Sequence, residues 1–233
     1  MQKLQTFYKY KSLDNFEFLL DLILKERIYA ASHHELNDPM EGVVKIDGTI
    51  PQKKEQEWEE LIKKFRIVCF SRDKDSPLMW SHYADGARGC VVEFQLLENQ
   101  TFHKVSYLKK PSITEKNITI DKAKEILLYK EKPWKYEAES RCLIVGEKKF
   151  LPITIKSVRF GGRAEKSKVD MLMHILKLCK PKLEVLIESK QSLSNNIRWV
   201  SSGIRTYVKR PDRSKDYCPK CDEREDIQKD FCR

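Results

Sequence analysis

Two segments of this 233-residue chain carry the side chains best suited to chemistry. Between Val68 and Phe94, VCFSRDKDSPLMWSHYADGARGCVVEF sets Trp80, His82 and Tyr83 on a short helical turn between two apolar, strand-like runs. Between Trp134 and Val145, WKYEAESRCLIV spaces Glu137, Glu139 and Arg141 two residues apart. An extended chain sends side chains at that spacing to one face. Carboxylates at a strand mouth can stabilise a developing cation or take a proton from an attacking group. Glu139 is the first choice for that role because it directly precedes the apolar core CLIV, with Glu137 as its alternative. Arg141 could grip a phosphate with two N–H groups or hold the carboxyls ionised. Trp80 and Tyr83 could stack on nicotinamide or a nucleobase. The competing account makes the charged trio a solvated cross-strand set and Trp80 a packing residue.

Other candidates are more local. Asn37-Asp38-Pro39-Met40-Glu41 is a turn signal, because Asn and Asp close turns on their own backbone before proline. A contact to ribose or to an acceptor is the alternative for Asn37 and Asp38. His33 and His34 lack a third ligand at helical or hairpin spacing. Gly86 and Gly89 bracket Arg88 and permit a tight turn, but ADGARGC lacks the three-glycine spacing of a dinucleotide fingerprint. Near the C-terminus, Cys218-Pro219-Lys220-Cys221 with Cys232 offers three thiolates to a zinc ion. A histidine, Asp222 or a second subunit would have to complete the set.

These residues need elements to hold them. Tyr8–Ser12 and Arg27–Ala31 read as strands on either side of a helix capped by Asp14 or Asn15, with Phe18, Leu19, Leu22, Ile23 and Leu24 as its apolar residues. Lys53–Phe65 is an amphipathic surface helix with Trp58 and Leu61 inward. Arg66–Ser71, Gly89–Phe94, Lys104–Leu108, Tyr136–Val145, Ile153–Phe160, the run KLEVLIES and the run RTYVKR are the further strands. Asp121–Lys130 and Lys166–Lys180 are the further helices. Many short strands among helices predict an α+β fold, with split, bent, mixed or antiparallel sheets and flanking helices. Residues 1–210 are expected to form one domain and 211–233 a polar tail.

The net charge of +10 favours anionic partners. No run approaches the ~20 apolar residues of a membrane span, and no signal-peptide pattern opens the chain. The seven cysteines do not suggest a secreted disulfide framework. The expectation is a cytoplasmic protein without a membrane partner.

Taken in order, FYKYKSLDN, RIYAASHHELNDPMEG, VCFSRDKDSPLMWSHYADGARGCVVEF and KPWKYEAESRCLI resemble the bacterial domain of unknown function 2971 family, over about two thirds of the chain. More distantly, the same segments are similar to the catalytic core of ADP-ribosyltransferases. That resemblance implies a bent, split sheet that clamps NAD. It assigns cofactor contacts to Tyr8, Tyr10, Lys11 and Ser12 on the first strand and to Trp80 and Tyr83, and the residues' own chemistry adds Asn37, Asp38 and Arg141 as candidate cofactor contacts. Glu139 or Glu137 would be catalytic. Where those enzymes usually carry histidine or arginine on the first strand, this chain has Lys9, Tyr10 and Lys11.

The leading expectation is therefore an NAD-dependent ADP-ribosyltransferase-like enzyme acting on a nucleic acid or protein acceptor, in a setting such as phage defence or a toxin system. The alternatives are a non-catalytic nucleic-acid- or partner-binding module, resting on the charge, the basic helix and the tail, and a metal-dependent nuclease built on Glu137, Glu139 and Asp38.

Overall fold

A computed structural model describes residues 5–189 and 198–201. In chain order the elements are β1 (Thr6–Lys11), α1 (Phe16–Leu24), β2 (Arg27–Tyr29), β3 (Lys45–Ile46), α2 (Gln52–Lys63), β4 (Phe65–Ser71), α3 (Pro77–Tyr83) and β5 (Cys90–Leu96). They continue with β6 (His103–Lys104), β7 (Ser112–Ile113), α4 (Ile120–Leu127), β8 (Glu139–Val145), β9 (Phe150–Phe160), α5 (Lys166–Cys179), β10 (Glu184–Ser189) and β11 (Arg198–Ser201). The fold is α+β, as expected, with a main sheet ordered β11-β10-β9-β5-β1-β4-β8-β6. The pairs are antiparallel except β9–β10, and β2 adds to β9. β3 and β7 form a separate parallel pair.

Side-chain alternation divides the core. Phe7, Val68, Phe70, Val92, Phe94 and Cys142 face one side, where α1 and α5 supply Leu19, Ile23, Leu172 and Leu176. Phe65, Ile67, Cys69 and Leu143 face the other, beneath Trp58 and Ile62 of α2 and Ile126 and Leu127 of α4. Trp58 is inward as its spacing requires, but Ile62 is buried more deeply than Leu61.

The sheet loosens at its centre. β1 pairs with β5 over six residues but meets β4 at a single register pair, Tyr8 opposite Ser71. Beyond that pair the Lys9 ammonium donates to the Cys69 carbonyl at 2.7 Å. A side chain thus satisfies a main-chain group at the parting of the strands.

Several sequence expectations need correction. Tyr136–Val145 is not one strand: Lys132–Glu137 is a 3-10 turn, and Ala138 lies in the left-handed region with φ +45° before β8 begins. The three-residue face of Glu137, Glu139 and Arg141 is therefore broken, and only the last two share it. Lys104–Leu108 shrinks to β6 plus a bridge from Ser106 to Tyr129. Asn15 holds the N-cap position of α1 without a side-chain bond. β11 was not anticipated. RTYVKR, the boundary at 210 and the cysteine tail lie outside the described residues.

Candidate functional site

The parting of β1 from β4 opens a cavity of about 950 Å³. Its lining comes from both faces of the sheet: Lys9, Lys11, Phe18, Arg27 and Phe150 from the α1 side, and Tyr8, Tyr10, Tyr83, Glu41, Lys130, Glu137 and Glu139 from the other. That volume is in the range of sites for drug-sized ligands and cofactors.

A buried charge cluster borders it. Lys130 Nζ lies 2.6 Å from Glu137 Oε2, 3.2 Å from Glu41 Oε1 and 3.8 Å from Glu139 Oε2. Arg141, 1 % exposed, donates from Nε to Glu139 Oε1 at 2.8 Å and from Nη2 to Glu139 Oε2 at 3.0 Å. It also donates to Glu41 and, at 2.6 Å, to the Leu127 carbonyl. Tyr83 donates its hydroxyl to Glu137 Oε1 at 2.5 Å, and Asn37 Nδ2 donates to Tyr83 at 3.4 Å. The Tyr107 hydroxyl accepts the Glu139 N–H. Three carboxylates share two cations, Lys130 and Arg141, which leaves one excess negative charge when all are ionised.

The backbone explains how the cluster assembles. Pro133 at the start of the 3-10 turn and left-handed Ala138 at its end rotate Glu137 out of strand register. Ser71 Oγ then donates to the Glu137 carbonyl at 2.7 Å, and Arg72 Nε to the Ala138 carbonyl at 3.0 Å. Glu137 and Glu139 reach Lys130 from different directions despite their nearness in sequence.

The surroundings separate the carboxyls. Burial pushes the Glu41 carboxyl up, more than the Arg141 guanidinium pulls it down, and the Glu139 charge adds to the rise. Burial also pushes Glu139 up, but the Arg141 charge and hydrogen bonds, with Lys130, outweigh it and leave that carboxyl below its ordinary value. Burial alone would lower Lys130, whereas Glu139, Glu41 and Glu137 hold its ammonium above the usual lysine range. On the α1 side, burial, and secondarily the Lys9 charge, bring Lys11 down to about 8.

The other candidate residues are placed as follows. Tyr8, Tyr10, Lys11, Asn37, Tyr83, Glu137 and Glu139 line the cavity. Ser12 does not, because its hydroxyl closes a turn with Asp14. Asp38 is buried and accepts the Met40 N–H at 2.9 Å, which is the turn-closing role. Trp80 packs edge-on against Tyr10, with centroids 5.5 Å apart, in a small core with Met79 and Val91. Arg141 is spent on Glu139, Glu41 and Leu127, so it has no free fork for a phosphate. The close approach at Gly89 is to β1, where an added Cβ would lie 2.1 Å from the Lys11 carbonyl.

Two members of the cluster, Glu41 and Lys130, were not singled out from sequence. Glu41 belongs to the loop read as a turn, and Lys130, expected to end the helix Asp121–Lys130, lies beyond α4, which stops at Leu127. Among the described residues, no group of three or more His, Cys, Asp or Glu is placed to hold a metal ion. Cys218, Cys221 and Cys232 fall outside those residues. Among the described residues, no helix is long and apolar enough to cross a membrane.

Comparison with family models, with curated proteins and with solved structures finds no match to this chain.

Proposed function

We propose that this protein is an NAD-dependent ADP-ribosyltransferase-like enzyme whose cofactor occupies the gap between β1 and β4. The observation that carries this reading is the single β1–β4 register pair, which leaves a cavity with lysines on one side of the sheet and a buried carboxylate cluster on the other. NAD has matching parts: an anionic diphosphate, and a ribose that becomes cationic as nicotinamide leaves. Lys11 is the phosphate-side residue, since Lys9 is held by Cys69. Tyr8 and Tyr83 supply aromatic surface beside the ribose and ring.

Of the two glutamates, Glu137 is the catalytic residue in this reading and Glu139 a positioning residue. Both Glu139 oxygens sit in the Arg141 fork. Glu137 is held by the Tyr83 hydroxyl and by Lys130, groups that can yield to an incoming hydroxyl or amine. Its carboxylate would stabilise the oxocarbenium-like ribose and take the acceptor's proton as the new bond to C1′ forms.

The test is calorimetric titration of NAD into wild type, Tyr83→Phe and Glu137→Gln, with nicotinamide release followed in parallel. Retained binding with release lowered about 10²- to 10³-fold in Glu137→Gln is the expected result. No binding by folded wild type at millimolar NAD overturns the reading.

A further inference from the structure

The 3-10 turn that delivers Glu137 carries a second pattern on its outer side. Its sequence, KPWKYE, alternates lysine with aromatics. Trp134 and Tyr136 lie with ring centroids 6.1 Å apart and planes inclined by 37°. Tyr136 meets His82 of α3 edge-on at 5.5 Å, and His82 Nδ1 shares a hydrogen bond with the Tyr136 hydroxyl at 2.7 Å. Lys130 lies 4.5 Å over the Trp134 ring, so the inner cluster supports one end of this aromatic row. His82, Lys132 and Lys135 are exposed. Among the described residues neither lysine has an ion-pair partner, whereas Lys168 and Lys180 of the basic α5 region are paired with Asp14 and Glu26. Arg72 donates its Nε to the Ala138 carbonyl at the end of the same turn.

We infer that the Lys132–Tyr136 ledge, with His82 and Arg72, is the docking surface for a single-stranded nucleic acid acceptor, whose bases stack on Trp134 and Tyr136 while Lys132 and Lys135 meet its phosphates. This identifies the acceptor class for the proposed transferase and rests on that reading for the reaction itself. Interleaved aromatics and unpaired cations are what a sequence-tolerant single-strand surface needs, because every base has a stackable face and every nucleotide a charge. Charge complementarity selects this occupant: the chain carries +10 overall, and the ledge holds cations free of partners. The same 3-10 turn carries both the ledge and Glu137, the proposed base.

The experiment is fluorescence anisotropy with labelled single-stranded DNA and RNA 12-mers of mixed sequence, on the full chain without NAD. Wild type is compared with Lys132→Ala/Lys135→Ala, with Trp134→Ala, and with Lys53→Ala/Lys116→Ala as a charge-matched control on α2 and the turn before α4. The ledge pair is expected to weaken binding at least tenfold and to flatten the salt slope by about 1.4, since each lost single-strand phosphate contact accounts for about 0.7. Trp134→Ala should cost at least fivefold, and the control less than twofold. Circular dichroism and melting separate a folding failure in Trp134→Ala, and the exposed lysine pair keeps the test decisive in that event. Equal losses in ledge and control variants overturn the inference, as does the absence of oligonucleotide binding, which would leave a protein acceptor. Binding intact with no NAD affinity would sink the transferase and keep the ledge. NAD turnover without oligonucleotide binding would do the reverse.

Discussion

The ammonium of Lys9 lies 2.7 Å from the main-chain oxygen of Cys69, across the place where β1 stops pairing with β4. In a continuous sheet that oxygen would accept a main-chain N–H. Here the lysine substitutes for a strand partner and holds the gap open while satisfying one of its walls.

Lys9→Met should therefore act on stability more than on ligand affinity. Leaving a partly buried carbonyl unpaired costs about 1–3 kcal/mol. Urea unfolding should show that loss, while NAD affinity changes less than in Lys11→Met.

Lys11 gives a pH signature of determinate sign. Its ammonium, at about 8 rather than the ordinary 10.5, loses its proton in the folded chain before the unfolded one. Between those values the unfolded chain binds more protons, so this residue's contribution makes folding stability rise with pH. NAD affinity should fall over the same interval as the cation disappears. Lys11→Met should abolish both trends, and calorimetry at pH 7, 8 and 9 beside urea unfolding checks them.

The buried cluster predicts unequal costs for its glutamates. Glu139→Ala strands Arg141 without its forked partner and should lose about 3–5 kcal/mol, as removal of one member of a buried pair does. Glu137→Gln keeps a hydrogen-bonding group of the same shape and should cost less than about 1.5 kcal/mol. Comparing their denaturation midpoints with nicotinamide release separates positioning from catalysis.

Glu139 and Glu41 also impose opposite pH trends on stability. The lowered Glu139 carboxyl contributes stability that is present above its ordinary value and lost as pH falls through its folded one. The raised Glu41 carboxyl contributes a penalty that grows as pH climbs from its ordinary value through its folded one. Glu41→Gln should remove the second trend, visible in melting temperature as pH rises above the ordinary glutamate value.

Ala138 tests the backbone that aims the cluster. A non-glycine residue at φ +45° carries about 1–2 kcal/mol of steric cost. Ala138→Gly relieves it against some added chain entropy and should leave stability unchanged or raise it by up to about 1 kcal/mol. Ala138→Val should be clearly destabilising, as measured by thermal melting.

The elements were legible in the sequence where periodicity was strong. The apolar run Gly89–Phe94, realised as β5, and the helices α1 and α5 follow from pattern, and so does the α+β class. Glu137 shows where such reading stops. Its spacing from Glu139 fits a strand, and a single left-handed residue, invisible in composition, redirects it. Asp38 closes the turn and Trp80 packs on Tyr10, contacts that the neighbouring proline and the aromatic residues around them made legible in the sequence. Lys130 and Glu41 could not be found at all, since a lysine just past a helix and a glutamate ending a turn carry no local sign of burial.

Glu41 and Arg141 are 100 residues apart in the chain, and their contact closes the longest loop in the cluster. Long loops are entropically expensive to close, and contacts of this kind form late. Glu41 emerges early during synthesis, Lys130 follows much later, and Arg141 arrives only with β8. A nascent or truncated chain ending before β8 carries the aromatic turn and the acidic loop as separate pieces with no assembled charge centre. The charge centre thus cannot be complete until β8 has been made.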